Sequence, residues 1–208
     1  MEDVLEVYKR VEDPLRPLVC MDECPKQLIG ETRTPIPGQP GQPERFDTEY
    51  VRNGTCNLFM FSAPLLGWRR VDVTERRTML DWAEQIRHLV DVDFYWAEKV
   101  VLVMDNLNTH RPASLYEAFT PEEARRILER LEIHYTPKHG SWLNMAEIEF
   151  SVLNHHGLSD RIPSFERMKA EVKAWVQHRN QNVKRITWRF TTEDARIKLA
   201  RLYPQFNQ

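Results

Sequence analysis

One segment limits the folds open to this chain more than any other. Residues 99–106, KVVLVMDN, hold five apolar residues without a polar break and then stop at an acid. A half-solvated strand alternates apolar and polar side chains. A short unbroken run reads instead as a strand buried on both faces, as in a central parallel strand covered by helices. Asp105 then stands at the C-terminal edge of a sheet, where open α/β folds place ligands. With 208 residues, 41% of them apolar and 29% charged, the chain has the composition and length for one substantial core.

The remaining pattern extends this reading. Residues 17–23, PLVCMDE, predict a short buried strand ending in two acids, Asp22 and Glu23. Residues 24–55 carry five prolines and the run PGQPGQPE, which predicts a long irregular loop. Segments 56–63 and 68–74 predict a hairpin across Pro64 to Gly67. Helical spacing follows at Met79, Trp82, Ala83, Ile86, Leu89 and Val90, with Thr78 and Asp81 as a capping pair. Residues 114–131 read as helix interrupted at Thr120 and Pro121, 131–135 as a strand, and 141–155, 164–181 and 192–202 as helices. Strands alternating with helices after a meander give an α/β fold: a mixed sheet with helices on both faces.

Several function classes drop out. No apolar run approaches the roughly 20 residues of a membrane-spanning helix, and the acidic start MEDVLEVYKR lacks the features of a signal peptide. Three cysteines, Cys20, Cys24 and Cys56, are odd in number and too few for a disulfide scaffold, so a reducing, cytoplasmic setting is expected. Neither GxxxxGK[ST] nor GxGxxG occurs. A zinc site from Cys20, Cys24, Cys56, His155 and His156 fits no paired-knuckle spacing. Net charge is −2, but residues 164–208 hold ten Lys and Arg against four acids. An acidic body with a basic tail fits a cation site beside a phosphate-binding surface, or simply a solvated helix face.

Carboxylates carry the chemistry. Asp22 and Asp105 each close an apolar run, and Glu147 lies on the helix after TPKHGSW. Oxygen donors of this kind suit Mg²⁺ or Mn²⁺, and two such ions can activate water and stabilise a leaving oxygen in phosphodiester cleavage. Taken singly, each acid is better explained as a turn residue or cap; Asp105, ending its apolar run, is the exception.

MDE at 21–23, MDNLNTH at 104–110 and HYTPKHGSWLNMAEIEFS at 134–151 together resemble the DDE transposases of the insertion sequence 630 family, relatives of the mariner-like transposases. The resemblance spans residues 17 to 203. It implies a ribonuclease H-like fold, a site holding two Mg²⁺ or Mn²⁺ ions, and catalytic acids Asp22, Asp105 and one glutamate of the AEIE segment. It further implies DNA as substrate, both transposon ends and target, a homodimer when assembled, and association with the nucleoid.

On a helical wheel Leu143, Ala146, Phe150 and Leu153 form an apolar stripe. Glu147 borders it beside Asn144 and Ser151, and the family's Asn-x-x-Glu spacing matches Asn144 to Glu147. Glu147 is therefore the expected third ligand. Glu149 is the runner-up, its plainer role being a surface acid. Glu23 reads either as a supporting acid or as a solvated strand end. His110 reads as a helix-start hydrogen-bond partner or as an orienting group at the site. Lys138, His139, Lys184, Arg185 and Arg189 are the candidate phosphate contacts, Ser141 the expected helix cap, and Trp142 a core residue first, with packing against a base or sugar as its second reading.

Residues 1–16 read as a linker helix leading into a single catalytic domain, 17–208. Family members carry helix-turn-helix modules ahead of this domain, so a separate helix-turn-helix protein is an expected partner for end recognition. Two functions follow: a metal-dependent transposase that cleaves transposon ends and joins the 3′-hydroxyl to target DNA, or a truncated, non-catalytic partner that regulates a full-length transposase.

Overall fold

The computed structural model describes residues 1–138 and 140–203. His139, one of the candidate phosphate contacts, and 204–208 lie outside the described residues. The sheet has five strands: β1 (Leu18–Glu31), β2 (Tyr50–Ala63), β3 (Trp68–Thr74), β4 (Val100–Met104) and β5 (Leu131–Tyr135), in the order β3-β2-β1-β4-β5. β3, β2 and β1 form an antiparallel meander; β1, β4 and β5 run parallel. All five residues of β4 are buried, as its unbroken apolar run requires.

Helices cover both faces. On one face α2 (Met79–His88), α3 (Pro112–Ala118) and α4 (Pro121–Glu129) pack on Val19, Met21, Phe59, Phe61, Leu102 and Met104. On the other, α5 (Ala146–His156), α6 (Phe165–Gln181) and the N-terminal α1 (Glu2–Tyr8) pack on Cys20, Leu58, Met60, Val101 and Val103. Strand alternation alone sorts the residues of β1 and β4 between these two cores. α7 (Thr192–Lys198) closes a third cluster with Leu5 and Leu143. Among the described residues no helix is long and apolar enough to cross a membrane.

Several expectations hold closely: the hairpin, the capping box of Thr78 and Asp81, the helix restarted at Pro121, β5 and α6. Four need correction. β1 does not end at Glu23 and the 24–55 stretch is not all loop. β1 and β2 pair from Cys20↔Ser62 out to Glu31↔Tyr50, leaving 32–49 as the tip, itself bridged at Ile36↔Arg45 and Gln39↔Gln42. Pro25 is tolerated because β1 is beyond its ladder with β4 there and is paired on one side only. Leu28 and the bond from Ile29 N to Ile162 O hold the outer part of β1 to the body.

The second correction concerns α5, which begins at Ala146; residues Ser141–Leu143 form a separate tight turn, and Ser141 makes no side-chain cap. Third, Trp142 is not a core residue. It is 45% exposed, with one edge on Phe190. Fourth, Glu149 is not a surface acid, as shown below.

Candidate active site

The β1–β4 register brings the first two acids together. Leu18↔Val101, Val19↔Leu102 and Cys20↔Val103 are paired. Asp22 and Asp105 follow two residues after the last pair on each strand, near enough for the charge of Asp105 to act on Asp22. Cys20 and Met60, the partner of Asp22, face the core under α5 and α6, so alternation puts Asp22 on that face, while Asp105 follows β4 directly at the sheet end. α5 carries Glu147 across the same face.

Asn144 fixes where α5 starts. Its side chain is buried, donates from Nδ2 to Met21 O at 2.7 Å and accepts at Oδ1 from Ala146 N at 3.1 Å. One amide group thus joins the strand residue before Asp22 to the first turn of α5. Glu147 N donates to Asn144 O at 3.1 Å, which places the exposed Glu147 one residue into the helix, over the strand end. The Asn-x-x-Glu spacing has a mechanical content here: the asparagine docks the helix and the glutamate leans out beside the docked strand.

Asp22 is the acid whose surroundings act on it most clearly. Burial raises the Asp22 carboxyl to about 7, a bond from Glu23 N at 2.8 Å works against that, and the charges of Glu147 and Asp105 push it further up. Among the described residues no three His, Cys, Asp or Glu side chains converge closely enough to enclose a metal ion. The donor set fits a hard divalent cation in kind: carboxylate oxygens near one sheet end.

A second set of contacts lies behind the first. His110 is fully buried, with Nδ1 2.5 Å from Asp105 Oδ1 and Nε2 2.8 Å from Glu23 Oε1. Its ring stacks on Trp82, centroids 5.9 Å apart. Burial disfavours the charged ring, but the hydrogen bonds and charges of Asp105 and Glu23 outweigh it and push the imidazole up to about 9. Glu23 is therefore no solvated strand end: its side chain is 2% exposed. His110 makes no helix-start bond with its ring. Each residue has polar neighbours in the sequence and gives no local sign of the pairing, which joins positions 87 apart.

Glu149, two residues from Glu147, points into the protein. Its carboxylate accepts from Arg69 Nη2 at 2.7 Å and from Arg179 Nε at 3.2 Å, with the Arg69 and Glu149 side chains both fully buried. Arg69 also donates to Gly67 O and Lys184 O. Nothing in the WRRVDVT strand pattern marks Arg69 as buried.

The candidate phosphate contacts divide. Exposed Lys138 lies between β5 and α5, at the sheet end of the acids. Lys184 and Arg185 lie at the other end, where Ile186 N donates to Pro64 O in the β2–β3 turn; Arg185 pairs with Glu12. Exposed Arg189 sits between Trp188, which packs on Tyr8, and Phe190, which meets Trp142. The zinc ligands considered above do not assemble: Cys20 is buried beside the Tyr8 hydroxyl.

Comparison with solved structures returns this architecture. The Mos1 mariner paired-end complex with Mn superposes with a TM-score of 0.55 at 20% identity, covering 85% of this chain and 52% of that one. The Mos1 strand transfer complex gives 0.56 at 19%, covering 85% and 51%. The isolated catalytic domain of Mos1 mariner transposase gives 0.51 at 17%, covering 85% and 76%. The fold is thus the ribonuclease H-like one of that catalytic domain, and the chain spans about half the length of the Mos1 chains in the two complexes. No curated protein sequence matches it significantly. The family model described as DDE superfamily endonuclease matches residues 17–169, a span that holds Asp22, Asp105 and Glu147 and most of the sheet they stand on, and the chain belongs to that superfamily.

Proposed function

We propose that this chain is the catalytic domain of a metal-dependent transposase of the insertion sequence 630 kind, with Asp22, Asp105 and Glu147 as the ligands of two Mg²⁺ or Mn²⁺ ions. The observation that supports the reading is that β1, its parallel neighbour β4 and the docked helix α5 bring these acids near one another: the Asp22 carboxyl is raised by burial and, to a smaller extent, by the charges of Glu147 and Asp105. Carboxylates gathered near one sheet end, one of them largely buried, suit a divalent cation that offsets their charge. Likeness to Mos1 complexes holding transposon ends and Mn supports the same reading.

When bound, the ions supply an activated water and a stabilised leaving oxygen for phosphodiester cleavage, and then for attack by the freed 3′-hydroxyl on target DNA. The protein's own part is placement. β1 and β4 hold Asp22 and Asp105 side by side, Asn144 locks α5 against β1, and exposed Glu147 has the rotamer freedom to close on the other two. Lys138 and Arg189 offer phosphate contacts. Residues 1–16 lead into the catalytic domain 17–208. End recognition comes from a helix-turn-helix partner, and two copies of the chain act together on DNA in the cytoplasm.

The test is nicking of supercoiled plasmid by the purified chain in Mn²⁺. Asp22→Asn, Asp105→Asn and Glu147→Gln each abolish nicking while circular dichroism stays that of the parent. Full nicking by all three variants refutes the assignment.

A further inference from the structure

β1 alternates at its acidic pair. Asp22 faces the α5 side, whereas Glu23, like Met21, faces the α2 side. His110 spans the two. It approaches from the α2 side, stacked on Trp82, takes Glu23 at one nitrogen and reaches around the end of β4 to Asp105 with the other. Tyr135 donates from its hydroxyl to His110 O at 3.0 Å and pins the backbone. Asp105 Oδ1 is thereby occupied from behind, which aims Oδ2 of its partly exposed carboxylate away from His110.

This arrangement is costly as packing alone. Glu23 Oε2 is buried with no hydrogen-bond partner, and Arg77 reaches only to 3.9 Å. Buried acid–base groups are commonly matched or bettered in stability by apolar side chains of the same volume. A fully buried imidazole that restrains a half-open carboxylate does have a use at a cation site, because partners behind a ligand fix its orientation.

We propose that His110, oriented by Glu23 and Trp82, is the positioning residue that sets the Asp105 carboxylate for divalent-cation binding. The inference rests on the reading of Asp22, Asp105 and Glu147 as cation ligands. Glu23 acts only through His110. The bond that matters is the one from Nδ1, so a side chain that keeps a donor there preserves function better than one that keeps a donor at Nε2.

Mn²⁺ titration of the full chain, followed by electron paramagnetic resonance, tests this without any turnover. His110→Ala weakens Mn²⁺ binding about 10- to 100-fold. His110→Asn, whose amide falls near Nδ1, retains most of the affinity; His110→Gln, whose amide falls near Nε2, binds as weakly as the alanine variant. Glu23→Gln weakens binding less, and adds nothing in the His110→Ala background. Thermal unfolding run in parallel separates stability from affinity: a merely structural role lowers the melting temperature and leaves Mn²⁺ affinity in place. If His110→Ala fails to fold, the Asn and Gln variants carry the comparison. Equal affinity for those two overturns the proposal, as does additivity of Glu23→Gln with His110→Ala. Mn²⁺ binding that is lost in Glu147→Gln but untouched in the His110 variants overturns this inference alone. Failure of the parent chain to bind Mn²⁺ overturns the cation reading and this inference with it.

Discussion

Arg69 on β3 and Glu149 on α5 form an ion pair of 2.7 Å with both side chains excluded from solvent. Arg179 from α6 joins the same carboxylate, and Arg69 also holds the backbone of Gly67 and Lys184. The helix that presents Glu147 is thus tied by its next-but-one residue to the edge strand of the sheet.

Breaking that pair from one side leaves a buried charge without its partner. Arg69→Met or Glu149→Gln is expected to destabilise the chain by about 3–5 kcal/mol, and Arg69→Met with Glu149→Leu to recover most of the loss. Urea unfolding of the three variants checks this; a loss below about 1 kcal/mol in both single variants contradicts it.

Glu147 behaves oppositely. It is exposed and engaged in no ion pair among the described residues, so Glu147→Gln is expected to stay within about 0.5 kcal/mol of the parent while losing Mn²⁺-dependent nicking. Comparing melting and nicking for Glu147→Gln and Glu149→Gln separates a chemical glutamate from a structural one on the same helix.

The division between these neighbours was half legible in the sequence. The wheel correctly put Leu143, Ala146, Phe150 and Leu153 inward. It placed Glu149 at the border of that stripe, but an acid at a border reads as exposed unless its cation is known, and Arg69 comes from 80 residues away. The apolar runs placed Asp22 and Asp105 at or near strand ends, but not the adjacency of β1 and β4 that brings them near one another. The Glu23–His110 contact did not, because it depends on a loop turning back over a strand end. The outer halves of β1 and β2 were hidden by Pro25, Gly30 and Gly54, which argue against strand locally; long-range pairing and the burial of Leu28 override them.

Asn144→Ala removes two bonds at once, to Met21 O and from Ala146 N. A loss of about 1–3 kcal/mol is expected, together with weaker nicking than the parent under conditions where both are folded. Asn144→Asp keeps the acceptor for Ala146 N but loses the donor, and should fall between Asn and Ala in melting temperature. An alanine variant as stable and active as the parent removes Asn144 from the site's framework.

Limited proteolysis reads the hairpin. Trypsin is expected to cut after Arg33 or Arg45, in the tip, before it cuts after Lys26 or Arg52, which are held in the β1–β2 ladder. Mass spectrometry of the first fragments decides the order. Early cleavage at Lys26 would mean that the outer ladder opens as readily as its tip.

Lys138 and Lys184 should differ in DNA binding. Lys138 stands at the sheet end of the acids and Lys184 at the opposite end. Lys138→Ala is expected to lower the salt slope of DNA affinity by about 0.9, the value of one phosphate contact, and Lys184→Ala to leave it unchanged. Fluorescence anisotropy across salt concentrations gives both slopes, and a reversed result moves the DNA path to the other end of the sheet.

The tip at 32–49 contributes no residue to the three hydrophobic clusters. Its base is fastened from outside the sheet by Arg161, which bonds Glu49 O and Asp47 O and lies over Phe46. Lengthening or rewriting such a tip costs little beyond loop closure, about 0.6 kcal/mol for each doubling of length. Asp22 stands toward the far end of the same hairpin, on β1, between Met21 and Glu23, whose side chains are buried. One hairpin therefore joins a portion free to drift with a portion held fixed. A lineage built on this scaffold can acquire new contacts at the tip by small insertions, generation after generation, while its chemistry stays as it was.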